Sequence, residues 1–184
     1  MIAVKIPVHV RERGSPLSPA ELSDFLAAIR GQCLEAYYLF LLYTGCRRNE
    51  ALILRAADVD YKKGQLHIRG TKTAGSDRTL PLFDSVADLL AKITPQNDGL
   101  FFPFRPDYPT HHFKKICPAH KLHDLRHTFA TRCLEAKIPM IVVKTWLGHS
   151  EIATTADIYS HVTAEIDRAA ARTLDEYMTK SPHE

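Results

Sequence analysis

The sequence predicts an α+β fold that is mainly helical and carries one small antiparallel β-sheet in its first half. Apolar residues recur every three or four positions in most segments, whereas alternating and β-branched residues are confined to about 57–82. With 184 residues and 45% hydrophobic content, the chain can bury one substantial core but would be cramped as two domains. We expect one domain over residues 18–178, preceded by a linker or extended segment at 1–17 and followed by a flexible tail at 179–184.

The first three helices are predicted from local start and stop signals. Ser18 can cap the first helix, Glu21 completes a capping box, and apolar residues follow at helical spacing up to Ile29. The second helix should cover about 34–43 and stop at the glycine that follows. A third, short helix should begin at about Arg47.

After the third helix, the residue pattern changes to that of short strands. The segments "ADVDYKKGQLHIRG" and "RTLPL" predict two or three antiparallel strands, with "KKG" as a turn and "TKTAGSD" as a longer loop. A helix from Asp84 or Ser85 to about Ile93 is followed by an irregular loop rich in proline and aromatic residues. The later helices are expected at 110–116, 123–137, 139–147, 152–158 and 163–178.

Charge and apolar content bear on whether the protein binds nucleic acid, spans a membrane or is secreted. The net charge of +3 and the pI of about 8.7 permit a nucleic-acid partner without arguing for one. The longest apolar run, Ala36 to Tyr43, is far shorter than the roughly 18 residues of a membrane span. The four cysteines form no CxxC pair, and the first residues lack the apolar stretch of a signal peptide. We therefore expect a soluble, cytoplasmic protein with no membrane partner.

Two arginines fall in the opening turn of the third helix. Arg47 and Arg48 oppose the helix dipole there, at a cost of about 0.3 to 1 kcal/mol each when exposed, whereas a phosphate would be favoured. Glu50 lies three residues after Arg47, so an ion pair within the helix is the alternative interpretation.

The segment "HDLRH" places His123 and Arg126 on one helix face and His127 one turn after the first histidine. Two histidines four residues apart can hold a metal, so a zinc-binding domain is a rival to a catalytic or a buried structural histidine. The zinc ligands would come from these histidines and from Cys117, His120 and Cys133. Pro118 breaks the chain within this set and the glutamate of an HExxH motif is absent, which weakens the zinc hypothesis.

Three further polar residues complete the candidates. Gly148 suits the position that ends a helix, so His149 is presented at the helix exit instead of being packed. Tyr159 follows ten residues later, with a half-buried core tyrosine as the alternative. Lys72 lies on the loop between two strands, where a lone lysine is usually only solvated, and it is flanked by Arg69 and Arg78, which are expected on the strands.

Together these residues suit metal-free phosphoryl transfer by a covalent tyrosine. Guanidinium groups can position an anionic phosphodiester and stabilise its developing charge in place of a metal. A phenol with a pKa of about 10 becomes a nucleophile once a histidine eases its proton away, and a lysine can protonate the departing sugar oxygen. This chemistry requires no metal and no cofactor.

The motifs that carry these residues resemble those of the tyrosine recombinases, also called phage integrases. "TGCRRNEAL" is similar to the family's TGxRxxE segment, "HDLRHTFAT" to its HxxR segment, and "LGHS...TTADIYSHV" to its LGHxxxxTTxxY segment, in the family's order. The "TKT" lysine loop and a longer interval before the tyrosine depart from the pattern of many members. The resemblance covers about residues 17–176 and implies the fold of a DNA breaking–rejoining catalytic core. It implies a phosphate surrounded by Arg47, His123, Arg126 and His149, with Tyr159 as nucleophile, Lys72 as general acid and Glu50 in support.

The function implied by the resemblance is site-specific DNA recombination through a covalent 3′-phosphotyrosyl intermediate, without metal or ATP. The alternatives are a type IB topoisomerase or resolvase with the same site, a catalytically silent DNA-binding module and the zinc-binding domain. Most members carry an N-terminal helical domain, so the chain is expected to be part of a longer integrase or a compact member.

The implied partner is double-stranded DNA. The apolar stripe of helix 163–178 could support self-association on DNA, with packing on its own domain as the alternative. Backbone phosphates could be contacted by Arg48, Lys62, Lys63, Lys114, Lys115 and Lys144, with solvated surface lysines as the alternative.

Overall fold

The computed structural model describes residues 14–70 and 77–148, and every structural statement below concerns those two ranges. They form seven α-helices, a three-stranded sheet and a turn of 3-10 helix at Ala56–Asp58. The helices are α1 Pro19–Ile29, α2 Glu35–Thr44, α3 Arg48–Leu52, α4 Asp84–Ala91, α5 Asp107–Ile116, α6 Asp124–Glu135 and α7 Met140–Leu147. The strands are β1 Val59–Asp60, β2 Gln65–Ile68 and β3 Arg78–Pro81. The predicted α+β fold is confirmed, while the helices predicted at 152–158 and 163–178 lie outside the described residues.

The start of α1 is the capping box that the sequence predicts. Ser18 Oγ accepts a hydrogen bond from the amide of Glu21 at 3.3 Å, and Glu21 Oε2 accepts one from the amide of Ser18 at 2.8 Å. Just before this helix, Leu17 is buried and its amide donates to Thr128 Oγ1 over 2.9 Å. The segment that enters the domain is therefore tied to α6 before the first helix begins.

The main core is built around α2, which packs against α4 and α6. The α2 side chains Tyr37, Tyr38, Phe40 and Leu41 are at most 1% exposed. The loop before α5 is irregular, as predicted, but its aromatic residues join this core. Phe102 meets Tyr37 edge-on with ring centroids 5.5 Å apart, so the loop contributes apolar burial to the domain.

The sheet has the strand order β1-β2-β3, and both strand pairs are antiparallel. In the second pair, Leu66 lies opposite Leu80 and Ile68 lies opposite Arg78. All four side chains are buried, as expected for residues that alternate onto the same face of a sheet. The inner face of the sheet is therefore apolar except for one charged residue, Arg78.

Several predicted boundaries differ from the observed ones by one to three residues. Arg69, expected on a strand, lies just after β2, where its Nη2 pairs with Asp58 Oδ1 at 2.7 Å. The helix predicted from residue 110 begins earlier, because Pro109 sits in the first turn of α5, where its missing N–H has no helical partner to lose. Arg47 precedes α3 as its capping residue and is not part of its first turn.

A second, smaller core joins α6 to α7 and includes Phe129 and Leu147. These two side chains meet at Gly45, which ends α2 with a φ of 63°. A Cβ at Gly45 would lie 2.4 Å from Phe129 Cδ1 and 2.7 Å from Leu147 Cδ2. Glycine therefore adopts the left-handed conformation that ends α2, and its missing Cβ lets this end approach both helices.

The end of α7 is held by packing against the sheet side of the domain. Trp146 meets Phe83 edge-on, with ring centroids 5.2 Å apart. The helix then ends at Gly148, which has a φ of 64°, as the sequence predicts. The point at which the chain leaves α7 is therefore well defined.

The helices in the described ranges are short, and α6 has 12 residues. None of those helices is both long enough and apolar enough to cross a lipid bilayer.

Candidate active site

Three of the six predicted catalytic residues lie within the described ranges, and the fold brings them together. Arg47 and His123 line one cleft of about 400 Å³, and the buried Arg126 contacts the segment that leads to Arg47. The full lining is Leu41, Cys46, Arg47, Arg48, Asn49, Thr110, Lys121, Leu122 and His123. Lys72, His149 and Tyr159 lie outside the described residues, so their roles stay predictions.

Arg47 forms an ion pair with Glu50, which the sequence analysis gave as the alternative to phosphate binding. Its Nη1 lies 2.7 Å from Glu50 Oε1, and its backbone amide donates to Glu50 Oε2 at 2.8 Å. The Arg47 side chain nevertheless stays 34% exposed at the cleft. Because a guanidinium has five N–H groups, this pairing leaves donors available for a phosphate.

Glu50 is a buried carboxylate held by two arginines. Arg78 Nη2 donates to Glu50 Oε2 at 3.0 Å, in addition to the two bonds from Arg47. Burial alone would raise the pKa of Glu50, but the hydrogen bond and charge of Arg78, together with the bonds from Arg47, outweigh it and lower the pKa. Glu50 is therefore ionised at neutral pH and supports Arg47 as a fixed acceptor.

Arg126 is almost fully buried and is held by two backbone carbonyls. Its Nη1 donates to the oxygen of Gly45 and its Nη2 to the oxygen of Leu147, both at 2.6 Å. Burial, followed by the positive charges of Arg47 and Arg78, lowers the pKa of Arg126 to about 9. Arg126 still carries its charge at neutral pH, so three guanidinium groups outnumber the single Glu50 carboxylate and leave a net positive charge beside the cleft. An anion bound there would relieve this repulsion.

Arg78 is a site residue that the sequence analysis missed. Its Nε donates to the carbonyl of Trp146 at 2.5 Å, and its Nη2 approaches Cys46 Sγ at 3.8 Å as well as Glu50. The sequence feature that could have identified it is the alternation of inward and outward side chains in β3. This alternation places Arg78 on the same face as the buried Leu80. A charge at an inward-facing strand position requires polar partners, and here they lie in the candidate site.

The two histidines of the HDLRH segment face each other at the start of α6. The rings of His123 and His127 meet edge-on with centroids 5.0 Å apart. His123 is exposed at the cleft, although neighbouring protein atoms displace part of the water around its ring. This desolvation, followed by the charges of His127 and the nearby arginines, lowers the pKa of His123 to about 4. His123 is therefore a neutral imidazole at pH 7 and can accept a proton.

The residues of the zinc hypothesis are not arranged as a metal site in the described part of the chain. No three histidine, cysteine or acidic side chains group as metal ligands within the two described ranges. His120 lies between two carboxylates, with Nε2 at 3.2 Å from Glu21 Oε1 and Nδ1 at 3.3 Å from Asp124 Oδ2. Burial raises the pKa of both Cys117 and Cys133, so these thiols are protonated at neutral pH. The carboxylate contacts of His120 instead join α1 to α6.

Arg48 adds a second, half-buried cation to the cleft and links two of its walls. Its Nη1 donates to Thr110 Oγ1 of α5 at 3.2 Å, and its Nε donates to Asn49 Oδ1 at 3.0 Å. Lys121, which the sequence analysis did not single out, is exposed on the same lining. Its only signal in the sequence is its position two residues before the HxxR segment. The cleft is lined by cations suited to an anionic ligand.

The lysines proposed for DNA contacts differ in accessibility. Lys62 and Lys63 are exposed in the turn after β1, and Lys114 and Lys115 are exposed at the end of α5. Lys144 is half-buried in α7. The first four are therefore accessible to a partner, although Lys63 pairs with Asp60 and Lys114 donates to the Pro118 carbonyl, and Lys144 is less accessible.

Known proteins are similar to this chain over most of its length. The model of the phage integrase family matches residues 16–165. Tyrosine recombinase XerA of Pyrococcus furiosus is 33% identical over 69% of this chain and 50% of its own length. A tyrosine recombinase XerC-like protein of Caldanaerobacter subterraneus subsp. tengcongensis is 26% identical over 86% of this chain and 53% of its own. The chain thus spans about half the length of the curated relatives it matches.

Solved structures share the fold. The catalytic domain of bacteriophage HP1 integrase superposes with a TM-score of 0.63 and 26% identity, covering 84% of this chain and 95% of that one. The Tn1549 transposon integrase in complex with transposon right end DNA gives a TM-score of 0.69 and 24% identity, covering 89% and 67%. This second likeness shows the fold alone. Because the family match extends over residues 16–165, the resemblance inferred from the motifs is confirmed, and the chain belongs to the phage integrase family.

Proposed function

We propose that the protein is a site-specific DNA recombinase, an integrase that cleaves and rejoins DNA through a covalent 3′-phosphotyrosyl intermediate without metal or ATP. The observation that carries this proposal is the arrangement of three guanidinium groups at a cleft that also presents the neutral His123. Arg47 lies in the cleft lining, and Arg78 and Arg126 are buried beside it. Such an arrangement suits an anionic phosphodiester and the negative charge that develops during its cleavage.

The arginines have different roles in this proposal. Arg47 is partly exposed and directs the N–H groups that Glu50 leaves unused toward the non-bridging phosphate oxygens. Arg126 is anchored by the carbonyls of Gly45 and Leu147, so its position changes little when the phosphate binds. A preorganised positive field of this kind lowers the barrier because it does not have to reorganise during the reaction.

The chemistry proposed for the remaining residues follows from the family resemblance. The Tyr159 oxygen forms a bond to phosphorus as the bond to the 5′ oxygen breaks, which leaves a 3′-phosphotyrosyl linkage and a free 5′-hydroxyl. His123 and His149 assist removal of the phenolic proton, and Lys72 donates a proton to the departing oxygen. Attack of a different 5′-hydroxyl on the linkage reverses these steps and joins new partners.

The proposed partner is double-stranded DNA, and the DNA complex of the Tn1549 integrase supports this choice. Exposed cations around the cleft would contact backbone phosphates, which position the duplex without specifying sequence. We also propose self-association on DNA through the helix predicted at 163–178, and a cytoplasmic location in which the four free cysteines stay reduced.

The names of the relatives favour recombination over the alternatives, since they are recombinases and integrases. The direct test is covalent capture of DNA on nicked, end-labelled duplex oligonucleotides with a randomised central sequence. We expect an adduct that survives denaturant and disappears after protease treatment. Failure to capture any strand from the pool would contradict the proposal.

A further inference from the structure

Arg78 connects two parts of the candidate site that come from distant segments. We propose that Arg78 is a positioning residue that fixes Glu50, and through it the Arg47 guanidinium, relative to the end of α7. This proposal rests on the function proposed above. It assigns Arg78 a role in the geometry of the reaction, whereas Arg47 contacts the phosphate and Arg126 supplies an anchored positive charge beside it.

The first connection runs from Arg78 to Arg47 through one carboxylate. Arg78 Nη2 lies 3.0 Å from Glu50 Oε2, and the other oxygen of Glu50 lies 2.7 Å from Arg47 Nη1. The side chains of Arg78 and Glu50 are only 6% and 0% exposed, so water does not screen the interaction between them. The Glu50 carboxylate therefore has one position, and the Arg47 side chain is oriented by it.

The second connection runs from Arg78 to the end of α7. The last carbonyls of a helix have no partner within the helix, and arginines satisfy two consecutive ones here. Arg78 Nε donates to the oxygen of Trp146, and Arg126 Nη2 donates to the oxygen of Leu147. Gly148 and then His149 follow directly in the chain, so these two bonds fix the point from which the predicted catalytic histidine departs.

Stability alone does not account for an arginine at this position. Leu80 fills the equivalent inward-facing position two residues later with an apolar side chain. Replacing a buried ion pair by well-packed apolar residues is often neutral or stabilising, so packing of the sheet does not require this charge. What an apolar side chain would lose is the simultaneous contact with Glu50 and the carbonyl of Trp146.

The activity test compares Arg78→Lys with the matched control Arg69→Lys. Arg69 also pairs with a buried carboxylate, Asp58, through Nε and Nη2 at 2.8 and 2.7 Å, but it lies outside the cleft lining. The single ammonium group of Arg78→Lys cannot bind both Glu50 and the Trp146 carbonyl, as the separate N–H groups of the guanidinium do. In single-turnover adduct formation with saturating protein, we expect Arg78→Lys to keep DNA affinity and lose at least about tenfold in rate. Arg69→Lys should cleave at the wild-type rate.

A double-mutant cycle separates positioning from general destabilisation. If Arg78 acts through Glu50, the rate of the Glu50→Gln, Arg78→Gln double variant should be no lower than that of the slower single variant. Wild-type rates for a folded Arg78→Lys protein, or fully additive losses in the cycle, would overturn the proposal.

A measurement without DNA keeps the inference testable if no adduct is ever captured. In Arg78→Gln, burial of Glu50 is no longer opposed by Arg78, so the Glu50 pKa should rise. The wild-type carboxylate contributes stability above pH 4.5, the ordinary pKa, and this contribution is lost as pH falls through its lowered folded pKa. The melting-temperature deficit of Arg78→Gln should therefore widen from pH 4 to pH 7, and this widening should vanish in the Glu50→Gln background. A deficit that does not change with pH would refute the link to Glu50.

Discussion

The carbonyl oxygen of Gly45 accepts a 2.6 Å hydrogen bond from Nη1 of Arg126, and this bond joins the two segments that carry the predicted phosphate-binding arginines. Gly45 lies two residues before Arg47, whereas it is 81 residues away from Arg126. The spacing of the two guanidinium groups therefore depends on how the end of α2 packs against α6 and α7.

Gly45→Ala tests this packing. The added Cβ would overlap Phe129 and Leu147, and the φ of 63° is unfavourable for alanine. We expect the left-handed conformation to cost about 1–2 kcal/mol of unfolding free energy and the overlap to add about 1–3 kcal/mol. Gly64→Ala is the matched control, because Gly64 has the same φ of 63° and no heavy atom within 4 Å of a built Cβ. Equal losses in urea unfolding would show that the contact with α6 and α7 is unimportant.

Arg47→Lys and Arg126→Lys should both suppress DNA cleavage. At position 47 a point charge cannot reproduce a forked contact with phosphate oxygens, and at position 126 it cannot bind both backbone carbonyls, so the positive charge would no longer be fixed in place. We expect each change to raise the barrier to adduct formation by roughly 2.7 to 4 kcal/mol, as for loss of one oxyanion donor. Arg126→Lys should also lower unfolding free energy by about 1–3 kcal/mol, since one buried carbonyl loses its donor. Single-turnover cleavage and urea unfolding measure the two effects, and near-normal cleavage by either variant would remove that residue from the site.

Features set by contacts within one helical turn could be predicted from the sequence. The capping box at Ser18 and the helix stops at Gly45 and Gly148 are examples, and the structure confirms all three. Each depends on a side chain or a backbone conformation that its immediate neighbours specify.

The role of Arg78 could not be predicted in this way, because its partners Glu50 and Trp146 lie 28 and 68 residues away. Only tertiary packing brings β3, α3 and the end of α7 together. The catalytic roles of Lys72, His149 and Tyr159 stay predictions from the family resemblance.

Tyr159→Phe should retain the fold and DNA affinity but form no covalent adduct, because only the hydroxyl is removed. The adduct is measured by denaturing gel electrophoresis with labelled DNA. Tyr177→Phe, on the last predicted helix, serves as the control and should cleave normally. Peptide mapping of a persistent adduct to Tyr177 would overturn the assignment.

Chelators should leave cleavage intact, because the proposed site stabilises the phosphate with guanidinium groups in place of a metal. The measurement is the rate of adduct formation in EDTA, before and after addition of Zn²⁺ or Mg²⁺. Activity that is lost in EDTA and restored by a metal would revive the hypothesis that His123 and His127 bind one.

Lys72→Ala should slow cleavage of ordinary DNA, because the 5′ oxygen would leave without a proton. A substrate with sulfur at that bridging position should restore cleavage, since a thiol pKa of about 8.5 makes the thiolate a good leaving group. The rates of adduct formation on the two substrates give the comparison.

Arg126→Ala is the control for this experiment and should not be rescued by sulfur, because its defect lies in charge stabilisation and positioning. Equal slowness of Lys72→Ala on both substrates, with DNA binding intact, would show that this lysine is not the acid. His123 would then be the next candidate.

Trp146, whose carbonyl accepts the Arg78 bond and whose ring meets Phe83, is the single tryptophan of the chain. Its position at the last turn of α7 makes it a built-in fluorophore beside the candidate site. Excitation at wavelengths that indole absorbs and tyrosine does not therefore reports on this one position. The seven tyrosines do not interfere, and no label has to be attached. Its emission wavelength and quenching provide an optical readout of the α7 terminus during titration with DNA.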